Sequence, residues 1–149
     1  MKIAIGSDHA GFSLKNEIVK HLSKNQYQVK DFGTFSESSC DYPDFAQLVA
    51  EEVAGGNYEF GILVCGTGIG ISIAANKVPG IRAALCSDTF SAHSSREHNN
   101  ANILAIGERV VGAGLALDIV DTFLKSDFLG ERHAKRVDKI TEIEKKYNK

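Results

Sequence analysis

Cys65-Gly66-Thr67-Gly68-Ile69-Gly70 closes the most apolar stretch of the chain, Phe60-Gly61-Ile62-Leu63-Val64. A strand ending there hands its thiol to the start of a helix, where outward-pointing backbone N–H groups favour negative charge. A free thiol titrates near pH ~8.5, and bringing it to neutral pH takes roughly 2 kcal/mol, the upper reach of a helix terminus. Cys65 therefore reads as a thiolate base; it reads equally as a small core residue, the usual role of a buried cysteine. The glycines 66, 68 and 70, with Thr67 and Ile69 between them, can cradle an oxyanion or a phosphate, because glycine lets backbone approach a ligand closely. A dinucleotide fingerprint fails here, since Ile71 stands where its last glycine belongs and the loop does not follow the first strand. Gly6 and Gly11 have the spacing of an ATP-binding P-loop, but Phe12 replaces its lysine. No cofactor is expected.

Other groups can join such a site. Asp8 and His9 follow the first apolar run, although a surface turn explains them too. His98, with Asn99 and Asn100, closes a helix; it suits proton traffic near neutral pH, or it complements the helix dipole. Arg109 follows a strand end, where ligands bind in open α/β sheets. Arg132 and Arg136 are four apart and share a helix face, able to grip a phosphate or to remain a solvated charged face. His21 and His93 read as structural. Neither has metal-ligand spacing, and no metal site is expected.

The elements that must position these groups alternate. Ile3–Ile5 reads as a strand, followed by a loop over Ser7–Gly11 and a helix carrying Phe12, Leu14, Ile18 and Leu22. Tyr27–Val29 is a second strand. A polar loop over Phe35–Pro43 leads to a helix capped by Asp41 and stopped at Gly55-Gly56. The run 60–64 is apolar on both faces, as in a parallel sheet. A helical stretch to about Lys77 follows, then a turn at Val78-Pro79-Gly80, a strand over Ile81–Leu85 and a helix begun by Asp88. Ile103–Ile106 is a strand, Val110–Leu124 a helix, and 131–147 a charged helix with a narrow stripe of Val137, Ile140, Ile143 and Tyr147. Five such alternations predict one domain over residues 1–149. It is a three-layer α/β/α sandwich around a five-stranded parallel, Rossmann-like sheet, with ligands bound beyond the strands' carboxyl ends.

The bulk numbers fit. The 149 residues carry a formal net charge of -2, with 43% hydrophobic and 24% charged residues, a globular mix without a basic arm for nucleic acid. No apolar run reaches the ~18 residues of a membrane span, and the start does not read as a signal peptide. Three cysteines, 40, 65 and 86, do not form a disulfide framework, so a cytoplasmic location is expected.

These pieces in this order resemble the ribose-5-phosphate isomerase B family, which includes galactose-6-phosphate isomerase subunits and allose-phosphate isomerases. The resemblance spans the chain. It rests on Gly6-Ser7-Asp8-His9-Ala10-Gly11, Asp41-Tyr42-Pro43, Cys65 to Gly70 with Ile73-Ala74-Ala75-Asn76-Lys77, Arg96-Glu97-His98-Asn99-Asn100-Ala101-Asn102, and Arg132 with Arg136.

The resemblance implies that Cys65 moves a proton between C1 and C2 of a sugar phosphate. Thr67 and the loop amides would hold the enediolate oxygen, and His98 would open the furanose ring. Asp8, Tyr42 and Asn99 would bind hydroxyls or assist ring opening; His9, Arg109, Arg132 and Arg136 would hold the phosphate. Members without the cysteine use a glutamate where this chain has Ile71, so the chain falls on the cysteine branch. Galactose-phosphate subunits tend to lack the ring-opening histidine, so His98 points to ribose 5-phosphate, with allose 6-phosphate as the alternative. The family forms dimers or dimers of dimers with sites built from both subunits, and the stripe on the C-terminal helix fits packing on a partner. Two rival readings are a nucleotide-dependent enzyme and a non-catalytic sugar-phosphate binding module.

Overall fold

The computed structural model describes residues 1–148. Five strands form one sheet: β1 (Lys2–Ser7), β2 (Gln28–Asp31), β3 (Phe60–Cys65), β4 (Ala83–Leu85) and β5 (Ile103–Gly107). Their spatial order is β2-β1-β3-β5-β4, and every neighbouring pair is parallel. Parallel neighbours need crossovers, and helices supply them. These are α1 (Phe12–Lys24), α2 (Tyr42–Ala54), α3 (Ile69–Ala75), α4 (Thr89–Glu97) and α5 (Ala113–Lys125), followed by α6 (Arg132–Tyr147).

Alternation along each strand divides the core into two layers. Ile3, Ile5, Ile62, Val64, Leu104 and Ile106 pack against Leu14, Ile18 and Leu22 of α1, Ala92 of α4 and Ile119, Val120 and Phe123 of α5. On the opposite face Ala4, Leu63, Cys65 and Ala105 meet Val49, Ala50 and Val53 of α2 and Ile71 and Ala75 of α3. The central strand β3 is buried at every position, as its unbroken apolar run requires. The expected three-layer α/β/α architecture is therefore present.

Several boundaries differ from the sequence expectation, each because a local bond replaces the regular ladder. α3 stops at Ala75, and β4 starts at Ala83. The Asn76 amide bridges this connection, accepting from the Ala83 N–H (2.8 Å) and donating to its carbonyl (3.0 Å). The Asn102 side chain likewise takes the Arg82 N–H at 2.8 Å, so Ile81 and Arg82 do not join β4. α5 begins at Ala113, three residues late, because the N–H groups of Val110 and Val111 both return to the Gly107 carbonyl in a turn. Asp41 holds the N-cap position of α2, but its carboxylate accepts no capping bond there, whereas Asp88 caps α4 by accepting from the Ser91 N–H at 2.6 Å.

The stripe on α6 splits. Val137 is buried, while Ile140, Ile143 and Tyr147 are 48%, 62% and 74% exposed. The helix touches down where Glu144 accepts from the Gly80 N–H at 3.0 Å. No helix among the described residues is long and apolar enough to cross a membrane.

Candidate active site

The carboxyl ends of β1, β3 and β5 lie side by side, so the loops after them meet. The Asp8 N–H donates to the Val64 carbonyl, and the amides of Glu108 and Arg109 donate to the carbonyls of Cys65 (2.9 Å) and Gly66 (3.0 Å). Contact between these loops is tight enough to require glycine. A Cβ on Gly11 would fall 2.4 Å from the Val64 carbonyl oxygen, and one on Gly107 would fall 2.5 Å from Thr67 backbone. A cavity of about 420 Å³ opens above this junction. Asp8, His9 and Ala10 line it from β1, Cys65, Gly66, Thr67, Ile69 and Gly70 from β3, Arg109 from β5, and Tyr42 from the start of α2.

Cys65 is the last residue of β3 and is only 4% exposed. Its Sγ accepts a hydrogen bond from the Gly68 N–H at 3.1 Å. Gly68 can aim this N–H because it adopts φ of 80°, where a side chain would be strained and would also collide with Leu85. Thr67 Oγ1 accepts from the Ile69 N–H at 3.2 Å, leaving its own O–H free to donate outward.

The neighbouring groups are similarly oriented. His9 Nδ1 accepts from the Cys40 N–H at 3.2 Å, so a neutral His9 carries its proton on Nε2 and presents a donor. Buried Asp8 spends Oδ1 on the Gly11 N–H (3.1 Å) and retains acceptor capacity. Arg109 lies over Gly66, whose Cβ, if present, would sit 3.2 Å from the guanidinium Nη1. Tyr42 is packed on Gly70, where a Cβ would approach the ring to 2.6 Å. One cavity thus joins a thiol with an N–H on its sulfur, a hydroxyl donor, an acceptor carboxylate and two cationic or donor groups. Such a set can hold an anionic, hydroxylated molecule and move a proton on it.

His98, Asn99, Arg132 and Arg136 do not line this cavity. His98 is the exposed C-cap of α4, and its ring stacks on that of His133 with centroids 4.3 Å apart and planes 14° from parallel. Arg132 and Arg136 flank His133 on α6 and, after burial and together with His98, push its imidazolium below the usual range. One chain therefore carries two separate groups of the expected site residues.

Some features had no sequence signal. Glu108 accepts from the Leu14 N–H at 2.6 Å, capping α1 from 94 positions away while its own amide holds the Cys65 loop. Lys15, fully buried, donates to Asp31 (2.7 and 2.8 Å) and to the Thr34 carbonyl, tying α1 to the segment behind Ser7. His21 pairs with Asp121 at 2.8 Å and His93 with Glu97 at 2.9 Å. Burial pushes the Cys86 thiol up to about 11. The native protein at pH 8 should therefore leave Cys86 unmodified by a thiol-reactive disulfide that labels it fully in denaturant. Peptide mapping after a timed pulse reads this directly.

Residues 3–140 match the family model described as ribose/galactose isomerase. Ribose-5-phosphate isomerase B of Escherichia coli strain K12 is 55% identical over 147 residues, 99% of each chain. The structure of ribose-5-phosphate isomerase B from Clostridium thermocellum superposes with a TM-score of 0.99 at 65% identity, covering 99% of this chain and 100% of that one. That of Mycoplasma genitalium ribose-5-phosphate isomerase B with bound ribulose 5-phosphate gives 0.93 at 46% identity, covering 97% and 96%.

Proposed function

Because the chain belongs to the ribose/galactose isomerase family, we propose that it interconverts D-ribose 5-phosphate and D-ribulose 5-phosphate through a cis-enediolate, with Cys65 as the base. It is an aldose–ketose isomerase, and the similarity to isomerases of this substrate pair runs the full length of the chain. The observation that carries the proton-transfer reading is the Cys65 sulfur, held by the Gly68 N–H inside a cavity edged by His9 and Arg109.

The steps follow from the groups. Ribose 5-phosphate enters as a furanose, and His98 moves a proton from O1 to the ring oxygen, giving the open aldehyde. The Cys65 thiolate takes the proton from C2. The electron pair moves to the carbonyl, and the resulting oxyanion is met by the Thr67 hydroxyl and the loop amides of Gly66 to Gly70. The enediolate passes its O2 proton to O1, and Cys65 returns its own proton to C1, leaving ribulose 5-phosphate and a thiolate ready to repeat. Asp8, Tyr42 and Asn99 bind hydroxyls; His9, Arg109, Arg132 and Arg136 hold the phosphate.

Since His98, Asn99, Arg132 and Arg136 stand apart from Cys65 within one chain, the complete site takes them from a second copy. A homodimer, or a dimer of dimers, is the assembly this requires. Exposed Ile69, Ile73, Leu85 and Phe90 offer apolar surface for it. Sedimentation showing only monomer at assay concentration would sink this part.

Tyr42 is held against Gly70, so Gly70→Ala should displace it and raise KM about tenfold while the protein remains folded. Steady-state kinetics with circular dichroism check this. The function itself is tested by following ribose 5-phosphate and ribulose 5-phosphate in EDTA. Turnover of allose 6-phosphate instead would reassign the sugar, and tight binding without turnover of either would leave a binding module.

A further inference from the structure

The ring-opening step asks more of His98 than the chain at first supplies. His98 caps α4 at the surface, and among the described residues its ring makes no hydrogen bond. An exposed imidazole without a partner has rotamer freedom, and proton transfer to a sugar oxygen needs the ring held within hydrogen-bond reach. Backbone order is already secured. Arg96, buried over the Phe60 ring at 4.6 Å, donates to Asn100 Oδ1 (3.0 Å) and to the Ala101 carbonyl (2.6 Å), fixing the turn after His98. What bears on the ring is His133, buried at the start of α6 and lying flat beneath it.

We propose that His133 is a positioning residue for ring opening: its imidazole is the platform that holds the His98 ring in its working orientation. This rests on the isomerase reading above and adds a residue to it. His133 suits the task because its surroundings disfavour its charged form. Its surroundings are His98 from α4 and Arg132 and Arg136 from α6, against Glu131 alone, and both burial and these cations disfavour its protonated form. Like charges on two rings with centroids 4.3 Å apart repel, so a His133 whose charged form is disfavoured is the better platform for the His98 ring.

The test is a double-mutant cycle with a flat and a non-flat replacement. His133→Phe retains a planar ring, and His133→Leu keeps bulk without the plane. We expect Phe to hold kcat within about threefold and Leu to lower it about tenfold, with KM for ribose 5-phosphate little changed. In a His98→Ala background the Leu penalty should vanish, because His133 acts only through His98. Independently of turnover, the ring protons of His98 should show an upfield ring-current shift in NMR that Phe preserves and Leu abolishes. The inference is overturned if Leu costs as much without His98 as with it, if Phe is as damaging as Leu, or if the shift is absent. Loss of all wild-type activity on this sugar pair, with the ring-current shift intact, would instead strike the isomerase reading and leave the stacking standing.

Discussion

Cys65→Ala and His98→Ala proteins, each nearly inactive alone, should regain activity when unfolded together and refolded as a mixture. The reason is the separation of the two groups of site residues. If the Cys65 cavity of one chain is completed by His98, Asn99, Arg132 and Arg136 of another, a hybrid dimer has one site that lacks both groups and one that lacks neither. Random pairing makes half of the dimers hybrid, each with one intact site of two, so the mixture should recover about one quarter of wild-type activity. A site contained within one chain gives no recovery at any mixing ratio. The gain from near zero makes the assay sensitive, and neither variant disturbs the core, since His98 is exposed and Cys65→Ala removes one buried atom at about 1 kcal/mol.

Much of this was legible in the sequence. The unbroken apolar run of β3 announced a buried central strand, and the glycines after it announced a loop where backbone comes close to something. Five strand–helix alternations gave the sheet. Asp8, Cys65 and Arg109 all follow or end strands, and parallel strands share one carboxyl edge, so their meeting is legible in the sequence. What remained hidden is non-local. Nothing in the residues near Glu108 shows that it caps α1, and nothing around Asn76 or Asn102 shows that their amides end a helix and shorten a strand. His133 reads as one more polar residue on a charged helix until the start of α6 is set against the end of α4. The resemblance brought His98 and the two arginines into one list with Cys65. Only the folded chain shows that they form a separate group, a fact of tertiary packing that no spacing rule encodes.

The central claim is that Cys65 is the base, and its largest consequence falls on rate. Removing the group that carries the C2 proton should lower kcat about 10³- to 10⁴-fold. Cys65→Ser should be nearly as poor as Cys65→Ala, because a serine hydroxyl beside the same Gly68 N–H does not ionise near neutral pH. Binding should survive in both, since the phosphate and hydroxyl contacts belong to other residues. The measurement to make is therefore the interconversion of ribose 5-phosphate and ribulose 5-phosphate in EDTA by wild type and Cys65→Ala, with calorimetry of ribulose 5-phosphate binding on the same samples. Turnover by the wild type, loss of at least about a thousandfold in the variant, and a Kd within about threefold would be the expected result. A folded Cys65→Ala protein that keeps wild-type turnover would contradict the account, because the proton would then be moving without the thiol.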